Sequence, residues 1–357
     1  MTKLVIGVLA HNEAKVVGNL LSDLSQQSVF QADFKGLEVE ICVVPNGCKD
    51  RTADISRSIL ESLDFPDHVI WKVEEIEQAG KTNAWNVFVH DLAPEDADYL
   101  LFLDADISLP QTDIIERSIA TLEAHPDAWI ASDESRDVFP EDAGLSFMKI
   151  VSPMVAGTAG GQGPSICGQF YCARAARLRQ ITLPVGLLSQ DGFIRAMVLT
   201  SGLTEPEQLA RIRSVPGAYH LHPAYTKLSS RFRYEKRQAM STTVYTYVYD
   251  ILNTLPPTFE ERMKEIKRLN KDDPDWLARV VQKECSKTSF PVPRRYVLKR
   301  MKNLRGDFIS SARKTPVILP ALAFDIFVGW RASRELKKNA LGGAAQNANR
   351  FTVRQNP

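Results

Sequence analysis

Short apolar runs alternate with amphipathic segments through the first half of the chain. LVIGVLA (4–10) precedes a helix-like segment from Glu13 to Ser25, and VEICVVP (39–45) precedes another from Arg51 to Leu63. HVIWKVE (68–74) leads through Ala79 and Gly80 into KTNAWNVFVHDL, and YLLFLDADI (99–107) leads to a helix at 111–124, with a further strand at AWIASDES (128–135). This strand-then-helix alternation predicts an α/β layered fold built on a parallel sheet. In such sheets ligands bind beyond the carboxyl ends of the strands. The polar clusters fall there: His11-Asn12-Glu13, Asn46-Gly47, Gly80-Lys81 and the pair Asp104 and Asp106.

Beyond residue 240 the periodicity becomes helical, in STTVYTYVYDILNTL, TFEERMKEIKRLNK, PDWLARVVQKE and RRYVLKRMKNL. The most apolar stretch, PVILPALAFDIFVGW (316–330), contains Pro320 and Asp325 and is followed by Arg331, Arg334, Lys337 and Lys338. It falls short of the roughly 20 residues needed to span a bilayer. Two readings stand: a hairpin or helix docked on the core, and an interfacial helix anchored in a membrane by Trp330 and the basic residues after it. From Gly342 on, the Gly/Ala/Asn/Gln-rich end reads as a loose tail. The expected organisation is a catalytic α/β domain over 1–240, a basic helical region over 241–340 and a tail over 341–357.

Charge sharpens that division. The net charge of +1 conceals −14 over residues 1–226 and +15 over 227–357. The basic part is either a solvated helical region or an electrostatic surface for anionic lipid or polyphosphate; a nucleic-acid partner is not expected. The five cysteines form no CxxC pair and no metal-ligand spacing, so neither a disulfide framework nor a zinc site is indicated. LVIGVLA is too short and wrongly flanked for a signal peptide. A cytoplasmic protein is expected, with peripheral contact at the inner membrane surface as an option.

The chemistry concentrates in YLLFLDADISLP (99–110). Burying two carboxylates without partners is costly, so Asp104 and Asp106 are expected at the strand's end, facing a cation. Neither GxxxxGK[ST] nor GxGxxG follows any strand. GTAGGQGPS (157–165) fits neither spacing and reads as a flexible loop or a lid over a ligand.

Taken in order, AHNEA (10–14), VVPNGCKDRT (43–52), GKTNAWN (80–86), FLDADI (102–107) and SQDGF (189–193) resemble the family 2 glycosyltransferases over about residues 1–240. The resemblance implies a GT-A fold, a Rossmann-like and mostly parallel sheet flanked by helices, with a helical C-terminal extension. It implies an inverting, metal-dependent transfer of a sugar from a nucleoside-diphosphate donor, a UDP-sugar favoured over a GDP-sugar, to a hydroxyl acceptor, lipid-linked acceptors included. Bacterial polysaccharide or glycolipid synthesis is the expected setting.

Carried over by position, Asn12, Glu13, Asn46 and Asp50 would meet the base and ribose, although most relatives have an aspartate where this chain has Pro45 or Asn46. Lys81 would lie near the diphosphate, Asp104 at the ribose or a metal-bound water, and Asp106 on a Mg²⁺ or Mn²⁺ ion. Gly168 and Gln169 would border the sugar pocket, and Asp191 would be the catalytic base. Of His220 and His222 one is expected to face the site, with His222 preferred as a further metal ligand. Arg233, with Arg231 and Arg237, would contact the diphosphate or acceptor. Simpler roles stay open: Asp50 and Asp191 as helix N-caps, Lys81 as an exposed first-turn residue, and the DAD pair as caps for the helix after Pro110. Two other functions also remain, a nucleotidyltransferase forming a nucleotide-sugar and a non-catalytic nucleotide-sugar scaffold.

Overall fold

The computed structural model describes residues 1–31, 34–138, 165–224, 228–299 and 308–338. The expected loop at 157–164 and the tail at 341–357 lie outside the described residues. Seven strands form one sheet in the order β3-β2-β1-β4-β6-β5-β7. They are β1 (Thr2–Ala10), β2 (Leu37–Pro45), β3 (Val69–Val73), β4 (Tyr99–Asp104), β5 (Ile130–Val138), β6 (Phe170–Arg174) and β7 (Ile212–Pro223). β1, β2, β3 and β4 pair in parallel, as do β5 and β7, while β6 runs antiparallel to both of its neighbours. The mostly parallel sheet expected from the sequence is therefore present, interrupted by one reversed strand. The run from Leu4 to Ala10 is buried throughout, as a strand covered on both faces must be.

The helices are α1 (Val17–Ser25), α2 (Thr52–Ser62), α3 (Lys81–Val87), α4 (Ile114–Ala124), α5 (Ala175–Leu178), α6 (Asp191–Thr200), α7 (Leu228–Leu252), α8 (Phe259–Asp272), α9 (Trp276–Ser286), α10 (Arg294–Val297) and α11 (Phe308–Lys337). On one face of the sheet, Leu4, Ile6 and Val8 of β1 share a core with Leu20, Leu21 and Leu24 of α1 and with Ile115 and Leu122 of α4. On the other, Val5, Leu9 and Phe102 share a core with Trp85, Phe193, Val244 and, from α11, Val328, Ala332 and Leu336. The alternation of strand side chains between faces produces these two cores.

Helix α1 begins at Val17, four residues later than the pattern predicts. Asn12 adopts a left-handed backbone at φ 57°. The Glu13 N–H donates to Thr52 Oγ1 at 2.8 Å and the Ala14 N–H to Asp50 Oδ2 at 3.1 Å, so this segment is tied to the loop after β2 and cannot enter the helix. Helix α7 runs through residue 240, the expected domain boundary, without a break. Among the described residues no helix is long and apolar enough to cross a membrane.

An aromatic block sits beneath the carboxyl end of the sheet. Phe102 stacks on Tyr171 at 4.5 Å and on Trp85 at 5.7 Å, and Phe88 meets it edge-on at 5.2 Å. Trp85 Nε1 donates to the Tyr171 hydroxyl at 2.7 Å. The block joins α3 and β4, which carry Lys81 and Asp104, to β6, which begins two residues after Gly168.

Candidate active site at the sheet edge

The parallel register aligns Ala10 with Pro45, and Leu9 with Asp104, so the first, second and fourth strands end at one level. Beyond that level the predicted polar residues converge. Asn46 is buried: its Nδ2 donates to Ala10 O at 2.7 Å and its Oδ1 accepts the Gly80 N–H at 3.1 Å. Its amide thus fixes the entry to α3 within the protein, which positions Lys81. Gly47, at φ 57°, lies against Ala79, where an added Cβ would come within 2.4 Å of the alanine Cβ. Asn12 Oδ1 accepts the Lys49 N–H at 2.7 Å, and Asp50 Oδ1 accepts the Thr52 N–H at 3.1 Å. Asp50 thereby supports the first turn of α2 while holding the loop after β1.

Lys81, the first residue of α3, places Nζ 2.5 and 2.6 Å from the two carboxylate oxygens of Asp104 and 3.3 Å from Gly168 O. This cation is the partner that the opening of the strand into two aspartates demanded. Burial pushes the Asp104 carboxyl up, Lys81 opposes that shift, and Asp106 adds to it. The Asp104 N–H donates to Gln169 O at 2.9 Å, extending the pairing of β4 with β6. Asp191 opens α6, where Ser189 Oγ donates to its Oδ1 and the Tyr245 hydroxyl donates to Ser189 O at 2.7 Å. Gly168 lies so close that an added Cβ would sit 3.3 Å from Asp191 Cβ and Cγ. Lys81, Asp104, Gly168 and Asp191 therefore form one continuous wall.

Residues 5–169 match the family described as Glycosyl transferase family 2. The chain carries a family 2 glycosyltransferase domain. No curated protein matches the chain. Among solved structures, the mannosyltransferase PcManGT from Pyrobaculum calidifontis in complex with GDP-Man and Mn²⁺ superposes with a TM-score of 0.52 at 16% identity, over 98% of this chain and 88% of that one. That likeness shows the GT-A fold. S. aureus TarS 1-349 gives 0.46 at 18% identity over 96% and 92% of the two chains. Glucosyl-3-phosphoglycerate synthase from Mycobacterium tuberculosis, in complex with Mg²⁺ and uridine-diphosphate, gives 0.46 at 16% over 68% and 77%.

On β7 the histidines differ from expectation. Residues two apart on a strand share a face, and the His220 and His222 rings lie 6.3 Å apart, so both point the same way. A bridge between Ser108 and Leu221 sets this stretch of β7 beside the DAD segment. His222, partly exposed, pairs through Nε2 with Asp137 at 3.3 Å. His220 is buried, with Nδ1 2.8 Å from Asp133 Oδ2 and Nε2 3.4 Å from Gln169 Oε1 and 3.8 Å from Cys167 Sγ. Burial alone would lower its pKa, but the bonds to Asp133 and Cys167 more than offset this and hold it up to about 9. Asp133 has no counterpart in the sequence reading. It sits where the register of β5 against β7 shifts, between Ser132 and Glu134, so the alternation of AWIASDES does not announce its inward turn.

On α7, Arg233 is exposed and donates to Ser230 Oγ at 3.0 Å, and Arg231 pairs with Glu235 at 2.8 Å. Among the described residues the buried Nε of Arg237 has no hydrogen-bond partner.

Metal fit can be judged from the oxygen donors. Burial pushes the Glu13 carboxyl up to about 8, with Asp106, Asp104 and Asp50 adding repulsion in that order. Such an acidic surround suits a hard divalent cation. Among the described residues no group of three or more His, Cys, Asp or Glu is arranged to hold an ion. The residues therefore fit the Mg²⁺ pattern of one or two protein carboxylates completed by substrate phosphates and water.

The Glu13 shift makes a prediction about pH. From an ordinary value of 4.5 to about 8, the folded protein keeps a proton that the unfolded chain releases, so Glu13 favours folding below that window and this contribution is lost as pH rises through it. Thermal unfolding of wild type and Glu13→Gln is expected to diverge with rising pH, the variant gaining relative to wild type across the window. A constant difference would remove Glu13 from the account.

Proposed function

We propose that this glycosyltransferase moves a sugar, with inversion, from a nucleoside-diphosphate donor to a hydroxyl acceptor, in polysaccharide or glycolipid synthesis. A UDP-sugar is the favoured donor and a GDP-sugar the other candidate. The observation that carries this reading is the chain of neighbours at the sheet's carboxyl edge in which Lys81 bonds Asp104 and Gly168 O, Asp191 lies against Gly168, and Asp106 acts on Asp104.

Glu13, Asp50 and Asn12 line the loops that would receive the nucleoside, and Asn46 acts from beneath by fixing Gly80 and Lys81. Lys81 screens the diphosphate while Asp104 orients its ammonium. Asp191 accepts the proton of the acceptor hydroxyl as that oxygen bonds to the anomeric carbon and the bond to the diphosphate breaks. Gly168 and Gln169 would border the sugar, and Arg233 would contact the diphosphate or acceptor. Asp106, with His222 close by on β7, would hold a Mg²⁺ or Mn²⁺ ion; when bound, the ion supplies charge neutralisation to the leaving nucleoside diphosphate.

Calorimetric titration tests the donor half of this proposal. UDP or GDP is expected to bind in the presence of Mn²⁺, to weaken at least about tenfold in EDTA, and to lose that metal dependence in Asp106→Ala. If neither nucleotide binds under either condition, the donor reading falls and a scaffold role takes its place.

A further inference from the structure

Helix α11 presents two faces of opposite character. Val328, Ala332 and Leu336 are buried against the rest of the chain, and Ser333 and Asp325 lie with them. The opposite face exposes Ile326 at 49%, Phe327 at 50% and Trp330 at 44%. One turn further on, the same face carries Arg331, Arg334, Lys337 and Lys338, all exposed. At 100° per residue these side chains fall on one stripe, apolar at its start and basic at its end. Trp330 stands at the junction, stacked on Phe327 at 6.0 Å and covered by the Arg334 guanidinium at 4.9 Å. The apolar part continues onto α7: Phe232 packs on Phe327 at 5.6 Å, and Leu228, one turn before it, is 65% exposed. Leu228 follows the carboxyl end of β7, so the stripe runs out beside the edge of the sheet that carries the active site.

We propose that this stripe is a docking surface for an anionic phospholipid bilayer. An apolar ridge beside four cations, with a tryptophan between them, matches the layering of a bilayer surface, where acyl chains, interface and phosphate headgroups succeed one another. The long basic side chains reach the phosphates while the ridge enters the boundary below them. The same cations argue against a second copy of the chain on this face, because two such stripes would repel. They also argue against the C-terminal tail, whose charged residues, Arg350 and Arg354, have the same sign. Docking of this face brings the sheet edge to the bilayer whichever sugar is transferred.

Sedimentation of the full chain with vesicles tests the proposal. The chain is expected to sediment with equimolar phosphatidylcholine and phosphatidylglycerol, to stay in solution with phosphatidylcholine alone, and to be released by added salt. Arg331→Glu combined with Arg334→Glu is expected to weaken binding by roughly tenfold or more, and Phe327→Ser with Trp330→Ser to weaken it comparably, while nucleotide titration stays unchanged. In case the paired variants fail to fold, brominated lipid supplies a second measurement: it should quench the fluorescence of the wild-type chain, and the conservative Trp330→Phe should remove most of that quenching. Equal binding to both vesicle types, no binding to either, or no change in quenching with Trp330→Phe would overturn the proposal. So would a dimer in sedimentation velocity that the charge reversals dissociate, which would assign the face to a second copy.

Discussion

Asp191→Asn is expected to lower turnover by roughly 10²- to 10⁴-fold, the usual worth of a general base, with nucleotide affinity left within about twofold of wild type. The substitution keeps the shape of the side chain, and Ser189 Oγ can still donate to the remaining oxygen, so α6 should start where it does now. Only the capacity to accept the acceptor's proton is lost. The surroundings make the site sensitive to position as well as charge, since any side chain at position 168 would press on Asp191 from one side and Tyr245 fixes Ser189 from another. Turnover measured with saturating donor separates the two roles considered for Asp191. A helix cap alone would show as a lower melting temperature with normal turnover, and that outcome would end its assignment as base.

Phe102→Ala is expected to cost about 3–5 kcal/mol in denaturant unfolding, the range for removing a buried phenyl ring. Phe102 is 2% exposed and lies in the middle of the aromatic block, stacked against Tyr171 and Trp85 and met edge-on by Phe88. Each such aromatic pair adds a little beyond the area it buries. The cavity left would loosen the strand that ends in Asp104 and the helix that begins with Lys81. Nucleotide binding should therefore weaken alongside stability, although Phe102 touches no ligand. A loss under about 1 kcal/mol would mean that the neighbouring rings collapse into the space and that the block is not a rigid support for the site.

Much of this was readable in the chain itself. The alternation of LVIGVLA, VEICVVP, HVIWKVE and YLLFLDADI with amphipathic segments specified the α/β class, because period-two and period-3.6 burial leave different marks on neighbouring residues. The polar groups at the strand ends were legible for the same local reason, and AHNEA, GKTNAWN, FLDADI and SQDGF do meet at one edge. The apolar stretch at 316–330 lies within the 30-residue α11, which like the other described helices is not long and apolar enough to cross a membrane, and the face that carries Val328 docks on the core, one of the two readings the sequence allowed.

Tertiary structure decided what depends on partners distant in sequence. Strand β6 enters the sheet in reverse between β4 and β5, and nothing in SICGQFYCARAARL distinguishes a strand running one way from the other. Asn46 reads as a ligand-facing amide until Ala10 O and the Gly80 N–H are seen to engage it, and Asp133 draws no notice until the register shift turns it onto His220. Composition and periodicity record how often a residue is buried and on which side. Which groups meet across such separations, 23 residues for Lys81 and Asp104 and 87 for Asp133 and His220, is set by strand pairing and helix packing, and these pairings exist only once the sheet has closed over them.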